Sequence, residues 1–190
     1  MKLLIITDLH AWTNDEFKIT AETEGYDICF LLGDIELADL KQLKQIIKTQ
    51  MYGLNGNHDC NNIETAGIGN LHCRRGRYKG STFCGFQGSS RYKDSPHNMY
   101  TQEESIEMCK KLPPCDVFLT HDIAYDGAGD DMAHCGLKGI LQYIETNQPK
   151  LHIHGHLHEN SKKKIGRTLS IGVYKAAIID TDTFEVEILY

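Results

Sequence analysis

KLLIITDLH, residues 2–10, begins as an unbroken β-favouring run and ends on Asp8 and His10. The same arrangement recurs down the chain. DICFLLGD (27–34) ends on Gly33-Asp34, and MYGLNGNHD (51–59) on Gly56-Asn57-His58-Asp59. DVFLTHD (116–122) ends on His121-Asp122, and LHIHGHLH (151–158) on Gly155-His156 and His158. Short continuous apolar runs bounded by turn residues read as buried strands. Strands of a layered αβ fold gather their carboxyl ends at one edge, where loops carry ligands and chemistry. Carboxylate, amide and imidazole donors in this mixture suit manganese, iron or zinc rather than a soft thiolate site. Glycines before Asp34, Asn57 and His156 allow sharp turns and a close approach of backbone to the site.

Each element alone is weak. D-x-H and G-D arise by chance in many chains, and a single His at a strand end is ordinarily a surface or core residue. GNHD and GHLH are much rarer, and five such elements in order, each closing a strand, carry the reading.

Between these strands, residues 15–24 are expected to form a short helix, and residues 36–48 present Leu37, Leu40, Leu43, Ile46 and Ile47 on one helical face. Residues 71–90 hold short glycine-broken pieces and are read as an antiparallel meander. A helix is expected over 101–111, where Thr101 with Glu104 forms a capping-box pattern and Pro113-Pro114 ends it. Another follows over 137–146, and residues 163–190 supply three strand candidates. Alternating strands and helices first, then shorter strands, point to two sheets with helices outside rather than one open parallel sheet.

At 190 residues the chain is expected to form a single domain over 1–190, with 41% hydrophobic residues to build its core. A net charge of −6 argues against a protein that coats nucleic acid. The first residues are too short and too quickly acidic for a secretory signal, and no apolar run reaches membrane-spanning length. Seven cysteines, an odd number without CxxC pairs, suggest neither a disulfide framework nor a zinc ribbon. A cytoplasmic chain with reduced thiols, Cys29 and Cys84 among its core residues, is the simplest expectation.

The ordered set D-x-H, G-D, G-N-H-D/E, H and G-H-x-H, running from Asp8 to His158, resembles the calcineurin-like metallophosphoesterase superfamily, with loops like those of its small prokaryotic members. The resemblance implies an α/β fold, a four-layer two-sheet β-sandwich flanked by helices. It implies a first metal held by Asp8, His10 and His158, a second held by Asn57, His121 and His156, and Asp34 bridging both. Two divalent ions are expected as cofactors, manganese first, with iron, zinc or nickel as alternatives. The implied activity is hydrolysis of phosphate esters, with His58 facing the substrate to protonate the leaving alkoxide or stabilise the phosphate. One position departs from the pattern. In the protein-phosphatase branch an Asp three residues after the G-D motif pairs with the catalytic His, and here that position is Leu37. Asp59, Glu36 and Asp39 are the candidates to replace it.

A phosphate ester resists attack because its anionic oxygens repel a nucleophile. Two cations a few ångströms apart neutralise those oxygens and activate water as hydroxide. Neutral Asn57 limits the negative charge on its metal and so preserves Lewis acidity. Two loops are candidates to shape the pocket: residues 88–98, with Arg91 as a bidentate phosphate binder, and residues 126–136, with His134 lining the same space. Each has a plain alternative, a solvated charge for Arg91 and a surface residue for His134. His152 and His154, alternating with His156, are strand residues that could support the ligands from behind, while His72 and His97 are expected to be structural or exposed. The basic group Arg74, Arg75, Arg77 and Lys79 either faces solvent or favours a polyanionic substrate.

The expected substrate is a small-molecule or nucleotide phosphate ester, hydrolysed as a diester or monoester, with nucleic acid entering only as substrate and no membrane partner. The alternatives are a nuclease of the same superfamily, or a scaffold that keeps the fold without the chemistry. Loss of ligands would mark the scaffold, and every ligand position is intact here.

Overall fold

A computed structural model describes residues 1–10, 25–94, 97–127 and 132–189. The helix expected over 15–24 lies outside them. β1 (Lys2–Thr7) pairs parallel with β2 (Ile28–Leu31), which pairs parallel with β3 (Gln50–Gly53), and β4 (Gly69–Asn70) follows at the edge. On the other side of β1 lies β13 (Lys175–Asp180), antiparallel, then β14 (Val186–Ile188), completing a six-stranded mixed sheet. The second six-stranded sheet runs β11 (Ser161–Ile165), β12 (Thr168–Gly172), β10 (Leu151–His154), β9 (Val117–Thr120), β6 (Ser81–Phe86) and β5 (Arg75–Tyr78).

The apolar runs are continuous because both faces of each central strand are covered. Along β1, Leu3 and Ile5 face the layer between the sheets, with Phe30, Phe83, Leu119 and Ile153. Leu4 and Ile6 face outward, beneath α1 (Leu37–Ile46) and α2 (Asn62–Thr65), packing with Leu40, Leu43 and Ile63. The outer face of the second sheet holds Cys84, Phe86 and Phe118 under α3 (Gln102–Cys109) and α4 (Lys138–Asn147). Helix, sheet, sheet, helix is the four-layer sandwich expected.

The capping box at Thr101 forms: its side chain accepts from Glu104 N, and the Glu104 carboxylate accepts from Thr101 N. The middle of the chain departs from a meander. β5 and β6 are antiparallel, but β6 pairs parallel with β9, and β7 (Ser89–Ser90) pairs parallel with β8 (Met99–Tyr100). Glycine-broken runs reveal the breaks but not the partners, which come from segments far along the chain. The tail supplies four strands rather than three, β11 opening at Ser161. Arg74, Arg75, Arg77 and Lys79 are exposed on or beside edge strand β5, and Lys79 pairs with Asp27 at 2.6 Å. Charge on an edge strand discourages pairing with another chain. Cys29 and Cys84 are buried, and every cysteine is a free thiol. No helix among the described residues is long and apolar enough to cross a membrane.

Candidate metal centre

The carboxyl ends of β1, β2 and β3 in one sheet meet those of β9 and β10 in the other. Two donor groups form there: Asp8, His10 and His158, and Asp34, His121 and His156. Asn57 joins the second through Oδ1, 3.0 Å from His121 Nε2. Asp8, His10, Asp34, His156 and His158 all have left-handed backbone, with φ from 38° to 70°. L-residues adopt that region at a cost, and such strain gathers at functional sites. Close approach has also required glycine. A Cβ at Gly155 would overlap Thr7 Oγ1 and Asp8 Oδ2, and one at Gly56 would overlap the Asp34 carboxylate.

The donors are aimed by their second contacts. Asp8 Oδ2 accepts from Thr7 Oγ1 at 2.6 Å and His156 N at 2.9 Å. Its Oδ1 is buried without a hydrogen-bond partner and lies 3.5 Å from His158 Nε2. A buried carboxylate oxygen so placed is available to a cation. His10 Nε2 and His158 Nε2 stand 2.9 Å apart. His121 Nδ1 donates to Leu32 O at 2.7 Å, which turns Nε2 toward Asn57 Oδ1 and Asp34 Oδ2, the latter 3.5 Å away. His156 Nε2 donates to Ala133 O at 2.8 Å, leaving Nδ1 as its unprotonated nitrogen. Asn57 Nδ2 reaches Tyr92 OH at 3.5 Å, which orients the amide. The donors present therefore fit the binding of metal, and each of the two groups could hold an ion.

Burial pushes the His121 imidazolium down, but the Asp34 carboxylate beside it more than offsets this and raises it to about 10. Burial likewise opposes ionisation of Asp34, and His121 outweighs it, so that carboxyl stays well below the usual range. Burial and then the charge of His121 lower His156 to about 4, keeping it neutral.

His58 is exposed, with its ring centroid 6.0 Å from that of His10, and its backbone N–H donates to Asp34 Oδ1 at 2.9 Å. Asp59, a candidate partner for that ring, is turned away. Its carboxylate accepts from Asp34 N at 2.8 Å, Gly56 N at 2.7 Å and Asn62 Nδ2 at 2.9 Å, buckling the Gly56–Asp59 loop. Burial first, then Asp34, raises it to about 6. Glu36 is exposed and Asp39 buried in α1, and among the described residues no carboxylate bonds the His58 imidazole.

Arg91 is not gathered with the ligands: its guanidinium donates to Met99 O at 3.1 Å and pairs with Glu104 at 3.0 Å. His134 is, its ring 5.2 Å from that of His156. His152 is a core residue, with Thr120 Oγ1 at 2.9 Å and Ser170 Oγ at 2.8 Å, and His154 is buried beside it. His72 bonds Gln87 N through Nδ1, and His97 is exposed near Cys60. Sequence reasoning did not single out Asp122 for a role of its own. It is fully buried, accepts from Ser90 N and Ile123 N, and comes within 3.9 Å of His156 Nε2. No motif marks Tyr174 either; its ring lies tilted, 5.3 Å from that of His158.

The sequence profile of the calcineurin-like phosphoesterase superfamily domain matches residues 1–173. No curated protein matches the chain. Among solved structures it is similar to an archaeal phosphodiesterase (15% identity, TM-score 0.62), covering 98% of both chains. It is also similar to the phosphopantetheinyl hydrolase of Mycobacterium tuberculosis (14%, 0.61), covering 92% of this chain and 89% of that one. A third is Vacuolar Protein Sorting 29 from Cryptosporidium parvum (11%, 0.53), covering 98% and 94%. At these identities the likeness is one of fold. The profile match spans nearly the whole chain and includes every strand-end motif, so the chain belongs to the calcineurin-like phosphoesterase superfamily.

Proposed function

We propose that the chain is a dinuclear-metal phosphodiesterase acting on small-molecule or nucleotide esters. The observation that carries this reading is the convergence of two donor sets from both sheets on one edge, with the exposed His58 ring against them. Asp8, His10 and His158 hold one ion, and Asn57, His121 and His156 the other. Asp34, its Oδ1 fixed by His58 N, would be shared by both ions. Two divalent ions, when bound, neutralise the ester oxygens and lower the pKa of the attacking water. The exposed His58 imidazole is the group proposed to protonate the departing oxygen. The acidic balance of the chain, with a net charge of −6, supports a small diester over nucleic acid.

The test pairs metal analysis with a substrate panel. Bis-p-nitrophenyl phosphate, p-nitrophenyl phosphate, 2′,3′- and 3′,5′-cyclic nucleotides and single-stranded DNA are offered with manganese and with chelator. Two ions per chain and manganese-dependent turnover of a small diester are expected. Failure to turn over any ester with the site loaded would overturn the proposal.

A further inference from the structure

The loop that carries Asn57 and His58 is pinned from inside by Asp59, and it is pinned from outside as well. Asn98 Nδ2 donates to Gly56 O at 3.1 Å and to Asp59 O at 2.9 Å, spanning the two ends of that turn. The Asn98 amide cannot flip, because its Oδ1 accepts from Gln87 Nε2 at 2.8 Å. Gln87 is held in turn: its Oε1 accepts from Asn70 at 3.0 Å and from Asn55 at 3.3 Å, and both of those donate to the Glu64 carboxylate. A relay of amides thus runs from Glu64 to the two carbonyls of the loop. The Asn98 backbone is fixed too. It is left-handed at φ 48°, and its carbonyl accepts from Ser89 N at 3.0 Å. Asparagine is among the few residues that both tolerate this backbone and present two amide hydrogens.

We propose that Asn98 is a positioning residue, whose side-chain amide fixes the Gly56–Asp59 loop so that Asn57 faces the second ion and His58 the leaving group. This inference rests on the phosphodiesterase reading. Asn98 closes the 88–98 segment, so the role assigned there is mechanical rather than a contact with phosphate. Small displacements of a reacting group are costly, since an error of about 1 Å can cost roughly 100-fold in rate.

Two variants separate positioning from folding. Asn98→Gly keeps the left-handed backbone and removes the amide, while Asn98→Asp keeps the shape and replaces both donor hydrogens with an acceptor. Each is first melted to confirm a cooperative transition; if the glycine variant does not fold, Asn98→Asp carries the measurement. Calorimetric titration with manganese should then show the weaker of the two ions bound about 10-fold less tightly. For diesters with alkyl leaving groups, kcat should fall roughly 10- to 100-fold with KM little changed, and much less for p-nitrophenyl leaving groups. In a His58→Ala background, with manganese saturating so that the weakened ion stays bound, adding Asn98→Asp should cost under about twofold more on the alkyl diester, because the loss that remains is that of His58. Equal losses on good and poor leaving groups, or full multiplication of the two changes, would overturn the positioning role. If wild type turns over no ester yet Asn98→Asp still weakens manganese binding, the activity reading fails and the positioning of Asn57 stands. Unchanged titrations and unchanged turnover in both variants sink the inference alone.

Discussion

His58 has no carboxylate on its imidazole among the described residues, yet its backbone N–H is bonded to Asp34. Its ring and its backbone therefore do separate jobs, and substitution should separate them. His58→Ala is expected to retain both metals and to lose about 10²–10⁴-fold in turnover of esters with poor leaving groups, read by metal analysis beside kcat. Full activity on such esters would remove His58 from the mechanism. Buried neutral histidines have a different consequence. Burial lowers His72 to about 4, and its Nδ1 accepts from Gln87 N at 3.1 Å, a bond the protonated ring cannot accept. Between an unfolded value near 6.5 and about 4, the unfolded chain binds a proton that the folded one refuses. Stability is therefore complete above about pH 6.5 and falls as pH drops toward 4, by at most about 1.4 kcal/mol per unit from this group. His152, held down by burial, acts in the same direction. Urea midpoints in chelator, measured from pH 7.5 to 4.5, should fall less steeply in His72→Asn than in wild type; identical slopes would refute the assignment. The positions of the seven proposed ligands were legible in the sequence because each closes a strand in a recognisable order. Asn98, the contacts of Asp122 and the Ala133 carbonyl were not. They act on backbone atoms or rings of remote segments, and such contacts leave no pattern in the residues beside them.

At the scale of elements, the strand ends were legible where the apolar runs were continuous, and the pairing was not. DICFLL and DVFLT read as strands because every residue of Ile28–Leu31 and Val117–Thr120 is buried. The parallel pairing of β6 with β9, and of β7 with β8, depends on segments ten or more residues apart, which local periodicity cannot see. The turn after β10 tests how tightly these elements meet. Gly155 N donates to His121 O at 3.0 Å, and no Cβ fits between Gly155 and the Thr7-Asp8 pair. Gly155→Ala should push β10 away from β1, costing about 1–3 kcal/mol in stability and weakening manganese at Asp8 and His158. Thermal melts in chelator and manganese titrations report the two effects. A variant indistinguishable from wild type in both would show that the seam is looser than its packing implies.

Across the whole molecule, the sheets are joined by an apolar layer and, at one edge, by the donors of the metal centre. Asp8 and Asp34 follow strands of one sheet, while His121, His156 and His158 follow strands of the other. Ions bound between them would fasten the sheets together. At a free manganese concentration about 100 times the Kd, each site should add about 2.7 kcal/mol, or roughly 5–10 °C in Tm for a chain of this size. Scanning calorimetry across a manganese series measures this, and a Tm independent of manganese would mean that the ions do not bridge the sheets. The left-handed backbone at Asp8, His10, Asp34, His156 and His158 bears on how such a chain can change over generations. At each of those positions glycine would relieve the backbone and end the chemistry. Selection for a sturdier fold alone would therefore erode this edge first, and only a use for the five side chains opposes it.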